Sequence, residues 1–183
     1  MTEPRIAPRE APYPAEMQAI FDKLMPPGVP PLTLFAILAR DERLFGKFMG
    51  GGLLDRGALT LRQREIVIDR ITAKFGSEYE WGVHITLFQE KVGLTDEQVR
   101  SFVHGGPDDA CWQDESEKTL LRVCDALNET CDVPDALWAG ARAHFSEEAL
   151  LEIMMLCGFY RTVSYLTNAV RMPNEAFGTS FPA

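Results

Sequence analysis

The sequence predicts an all-α fold of about seven to nine helices, on three observations. Apolar residues recur at three- and four-residue spacing in one segment after another. Several of these segments open on Ser or Thr followed three residues later by Gln or Glu, the pairing that satisfies two orphan backbone donors at a helix start. No segment shows the strict apolar–polar alternation and hairpin turns of a sheet. At 183 residues the chain suits one domain. A chain of this size buries about 70% of its unfolded surface, enough for a core without metal or disulfide staples. The boundaries read as an extended arm over 1–13, a helical domain over 14–170 and a tail over 171–183.

Taken in order, Pro14 opens a helix that places Met17, Ile20, Phe21 and Leu24 on one side, and the PPGVPP run at 26–31 stops it. Residues 32–54 carry Leu34, Phe35, Leu38, Leu44, Phe45, Phe48 and Met49, with a break near Arg40-Asp41, so two short helices are expected. Thr60 with Gln63 starts a helix to about Lys74 that Gly76 closes, and Ser77 with Glu80 starts the next, closed by Gly93. The short link at Gly76 makes these two antiparallel neighbours. Thr95 with Gln98 opens a third helix, and HGGPDDACWQ at 104–113 is a loop. Asp114 to Asn128 forms another helix, Asp132 is expected to cap one over 134–144, and Ser146 starts the longest run, to about Val170. That run is apolar on nearly every side, as a central or subunit-buried helix would be, so a homo-oligomer is expected.

Composition narrows the function classes. Hydrophobic residues make up 46% and charged residues 25%, which excludes bulk disorder. Lys and Arg number 18 against 27 Asp and Glu, a net charge of −9 with no basic run, so neither nucleic acid nor an anionic membrane is an expected partner. Cys111, Cys124, Cys131 and Cys157 match neither a CxxC pair nor zinc spacing, and His84, His104 and His144 have no recognised metal spacing. No metal and no cofactor are therefore expected. Of the cysteines, Cys124 and Cys131 are the most reachable pair by sequence. With no apolar leader at the start and no 18-residue apolar stretch, the expected setting is cytoplasmic and reducing.

The densest chemistry lies in Ser77-Glu78-Tyr79-Glu80-Trp81-Gly82-Val83-His84. Glu80 and His84 are four apart and share a helix face. A carboxylate beside an imidazole raises its basicity and fixes its tautomer, as an acid–base group near neutral pH needs. Glu80 equally fits a capping carboxylate, and His84 a satisfied core histidine. On the preceding helix Arg62, Arg64, Glu65, Asp69 and Arg70 read either as a solvated ionic face or as groups beside an apolar stripe. Glu65 and His84 can meet across the Gly76 turn. Tyr160 and Arg161 interrupt the apolar run of the last helix, where they would line a pocket.

Glu65, followed nineteen positions later by His84 within Tyr79-Glu80-Trp81, resembles the carboxymuconolactone decarboxylase family, the superfamily of the alkylhydroperoxidase D proteins. Its redox branch has a Glu, eleven residues, Cys-x-x-Cys, three residues and a His. Glu65 and His84 match the ends of that pattern, while Ser77 and Glu80 stand where the cysteines would be. The resemblance covers roughly residues 32–170. It implies a small helical subunit assembled as a dimer, trimer or hexamer, with a pocket between helices. Without paired thiols the peroxidase chemistry of that superfamily has no nucleophile here. The decarboxylase branch is cofactor-free and works through acid–base side chains. On that resemblance the expected activity is a lyase acting on a small carboxylated lactone or unsaturated acid, and a non-catalytic oligomer module is the other reading. The implied catalytic set is Glu65, His84, Glu80 and Tyr79, with Ser77, Trp81, Arg62, Tyr160 and Arg161 as substrate contacts and an arginine, Arg62 or Arg161, holding the substrate carboxylate.

Overall fold

A computed structural model describes residues 4–183, so the first three residues of the expected arm lie outside it. Among the described residues there are nine α-helices and no strand. These are α1 (Ala15–Leu24), α2 (Thr33–Leu38), α3 (Glu42–Gly51), α4 (Leu61–Lys74), α5 (Glu78–Val92), α6 (Asp96–His104), α7 (Glu115–Thr130), α8 (Asp135–Arg142) and α9 (Glu147–Val170). The capping boxes at Thr60–Gln63 and Thr95–Gln98 form in both directions, and Ser146 caps α9 through the Ala149 amide. Two expected caps do not form. Ser77 gives its hydroxyl to a 2.7 Å hydrogen bond with Thr167 of α9, which leaves Glu80 unbound to the backbone and able to turn elsewhere. Asp132 accepts from the adjacent Val133 amide, and α8 starts behind Pro134, whose fixed φ presets the first turn.

The helix at the centre is α4. Every residue from Glu65 to Thr72 is buried, because α5, α6, α7 and α9 all pack around it. The reading of its charged residues as a solvated face is thereby corrected: Glu65, Asp69 and Arg70 are all interior. Gly76, at φ +62°, makes the left-handed turn that folds α5 back antiparallel to α4. By length and composition alone, α9 is the one described helix apolar enough to cross a membrane, and it packs against α4, α5, α7 and α8. Its outward stripe of Leu151, Met155, Gly158, Thr162, Tyr165 and Ala169 is exposed and uncharged.

Both ends of the chain dock on the bundle. The Arg5 and Arg9 amides donate to the Val170 and Ala36 carbonyls. The tail, whose sequence offers few packing residues, lies along α5. Glu175 accepts from the Tyr79 hydroxyl and the Thr33 amide at 2.6 Å each. Phe181 packs on Trp81, and the Thr179 carbonyl sits where any Cβ at residue 82 would be, so only glycine admits it.

Candidate active site

Glu65 projects from α4 and His84 from α5 at matching levels above the Gly76 turn, and they meet directly. His84 Nδ1 stands 2.7 Å from Glu65 Oε2. The other carboxylate oxygen of Glu65 accepts from Arg64 Nε and Nη2 at 3.0 and 2.9 Å. With Glu65 fully buried, both of its oxygens are occupied and the imidazole is held in one orientation. On the opposite edge of the ring, Nε2 lies 3.4 Å from Glu80 Oε1 and 3.4 Å from the Tyr160 hydroxyl. Both distances are longer than a tight hydrogen bond, so this edge is held loosely. Phe88, one turn after His84, stacks on the ring at 5.5 Å, and Arg64 covers Phe88 at 5.6 Å.

Burial alone would pull the His84 imidazolium down. The hydrogen bonds from Glu65 and then Glu80, with the charge of both carboxylates, more than offset it, and the pKa is pushed up to about 10. His84 is therefore protonated at neutral pH. The Tyr160 hydroxyl is raised in its turn, first by burial and then by the charges of Glu80 and Glu65, and stays a neutral donor.

The Nε2 edge opens into a cavity of about 620 Å³. Its walls are Leu34, Phe48, Met49, Phe88, Phe159 and Phe177 among other apolar residues, and its polar side chains are Arg64, Glu80, His84 and Tyr160. Such a space admits a small organic molecule, and its polar side chains are few among apolar walls. A few polar groups converging in an apolar cleft, one with a shifted pKa, make this the candidate active site. Among the described residues no group of three His, Cys, Asp or Glu side chains is placed to hold a metal ion.

Of the residues expected at the site, Glu65, His84, Glu80 and Tyr160 come together, and five do not. Tyr79 points away from the cavity, donating to Glu175 and accepting from the Leu34 amide, so it fastens the tail and α2. Ser77 is buried against Thr167, and Trp81 is fully buried beneath Phe181. Arg62 is spent on Glu117, Gln98 and the Val92 and Gly93 carbonyls at the α5–α6 corner. Arg161 lies on the outer side of α9, over Phe75 and against Tyr165 and Cys131. Tyr79 and Trp81 project from other sides of α5 than Glu80, Val83, His84, Leu87 and Phe88, which line the cavity, and Ser77, Arg62 and Arg161 are held by partners elsewhere. Sequence reasoning missed Arg64 and Phe88 as site residues. The i,i+4 step from His84 pointed to Phe88, whereas Arg64 shares no face with its neighbour Glu65 and reaches it only by folding back.

No family model matches the sequence, and no curated protein matches it in sequence. The fold does match solved structures. An uncharacterized peroxidase-related protein from Silicibacter sp. TM1040 superposes with a TM-score of 0.80 at 16% identity over 100% of each chain. The alkylhydroperoxidase AhpD core of Ralstonia eutropha JMP134, an uncharacterized peroxidase-related protein, does so at 0.76, with 17% identity over 93% of each. The debrominase Bmp8 in complex with 2,3,4-tribromopyrrole gives 0.70 at 15% identity, covering 94% of this chain and 92% of its own. The architecture is that of the AhpD-like helical bundle.

Proposed function

We propose that the protein is a cofactor-free lyase of the carboxymuconolactone decarboxylase type, using acid–base catalysis on a small carboxylated lactone or unsaturated acid. The observation that carries this reading is an imidazole wired to Glu65 at one edge and presented to a mostly apolar cavity at the other. In decarboxylation the bond to the carboxylate breaks, its electrons move onto a conjugated carbonyl, and carbon dioxide leaves. An apolar wall desolvates the departing carboxylate, whose charge becomes dispersed as it reacts. His84 Nε2–H and the Tyr160 hydroxyl then face the developing dienolate oxygen, and His84 delivers the proton. Glu65 holds the ring and its charge, and Glu80 keeps the second edge occupied until substrate displaces it. With Arg62 and Arg161 committed elsewhere, the cations at the cavity are His84 and Arg64, and Arg64 is already paired with Glu65. Subunits are proposed to pair through the uncharged stripe of α9. A redox reading through positions 77 and 80 finds no support, since the residues there are Ser and Glu.

The test is a panel of carboxylated lactones and conjugated acids, followed by carbon dioxide release. His84→Gln is expected to lower turnover by about 10²–10⁴-fold, the usual weight of one proton-transfer group. Turnover unchanged in that variant would hand the molecule to the non-catalytic reading.

A further inference from the structure

Cys124 on α7 and Cys157 on α9 bring their Sγ atoms to 3.9 Å, both thiols free and both buried. We propose that they form a peroxide-sensitive modification site that closes to a disulfide joining α7 to α9. A disulfide needs its sulfurs at about 2.05 Å, so the two must approach by roughly 2 Å. Cys124 and Cys131, the most reachable pair by sequence yet awkward at seven residues apart, are not the pair in contact: the neighbouring helix supplies Cys157 instead.

A route to the pair exists. Cys157 borders a cavity of about 170 Å³ that also meets Cys131 and the Arg161 guanidinium. Liquid water needs about 30 Å³ per molecule, so a peroxide fits. Cys157 is the member of the pair that borders this cavity, so it meets the peroxide first. Cys124 has no exposed surface, and its thiol is held well up by Cys157 and by burial, so it attacks second. In the first step the Cys157 thiolate takes one oxygen of hydrogen peroxide; the O–O bond breaks and the released hydroxide leaves as water. In the second, the Cys124 sulfur attacks the sulfenic sulfur, the S–O bond breaks, and that hydroxide departs with the Cys124 proton as water. One peroxide is reduced, two thiols are oxidised, and two waters form.

The experiment treats the whole protein with a few equivalents of hydrogen peroxide, then unfolds it for thiol titration and a non-reducing peptide map. Four free thiols should fall to two, with one cross-link between the peptides bearing Cys124 and Cys157. Cys131→Ser should leave that cross-link intact. In Cys124→Ala the cross-link should vanish and Cys157 should become trappable as a sulfenic acid. A cross-link through Cys131, a disulfide between chains, or four surviving thiols would each overturn the proposal. Should Cys124→Ala fail to fold, the map of the unaltered protein decides alone.

Discussion

Two buried ionic clusters hang from α4, one turn and a half apart, and they are finished differently. In the first, Arg64, Glu65 and His84 form a chain that ends at a cavity, where the Nε2 edge of the imidazole has only long contacts. In the second, Arg70 makes a two-pronged pair with Asp125 at 2.7 and 2.8 Å. Its remaining nitrogen donates to the carbonyls of Ser101, Phe102 and Gly105. Every nitrogen of Arg70 is spent inside the protein. Buried charge by itself is thus no mark of a site. What separates the clusters is whether a donor is left over and what it faces.

The comparison breaks most visibly at Arg70. Arg70→Ala leaves Asp125 with only the longer contact to Lys74, at 3.6 Å, and three carbonyls without that donor, and should cost about 3 kcal/mol of stability. The urea midpoint of the purified variant measures it. Replacing the pair together, Arg70→Met with Asp125→Leu, should recover most of the loss, since an apolar pair of similar size needs no solvation. If the double variant is as weak as the single one, the cluster does more than fill space and anchor the 104–113 loop.

The first cluster should respond in its pH dependence instead. His84 has a folded pKa of about 10 against an ordinary value near 6.5. A raised value means that its contribution to stability is complete below about 6.5 and is lost as the pH climbs through about 10. Activity that needs the imidazolium should fade over the same alkaline limb. Glu65→Gln keeps the shape but removes the charge, so both limbs should move to lower pH and turnover should fall by about tenfold or more. Combined with His84→Gln, the loss should be less than the product of the two, because they act as a unit. An alkaline limb unmoved in Glu65→Gln would detach the carboxylate from the titration.

What the sequence exposes and what it hides differ in kind. Helix starts were legible wherever a side chain caps its own backbone, as at Thr60 and Thr95, because that information is local. Ser77 broke the rule because a partner ninety residues away, Thr167, competes for its hydroxyl. The Glu65–His84 pairing was legible from two spacings and one turn. The fates of Arg62, Arg161 and Tyr79 were not, since each is decided by groups far along the chain: Glu117, Cys131 and Glu175. The tail's order is the same case, fixed by Gly82 and Trp81 on α5, which no periodicity within 171–183 reports.

Between the two clusters sits Asp69, which belongs to neither and gives the smallest and sharpest test. It is 1% exposed, and its Oδ1 has no partner. Burial raises its pKa well above the ordinary value, the charge of Glu65 raises it further, and His84 offsets this only in part. A carboxyl with a raised folded pKa stabilises the fold only below its unfolded value, near 3.8, and progressively ceases to do so as the pH rises through the folded one. Asp69→Asn removes that titration at nearly constant volume. Whatever fixed amount the buried amide costs or contributes, the stability of the variant relative to the parent should therefore increase from pH 4 to pH 8, by about 1 kcal/mol or more. Melting temperatures of the two proteins across that range measure the difference. A gap that does not change with pH would mean that Asp69 is ionised and paired throughout, and that the interior of α4 carries a third cluster with a cation of its own.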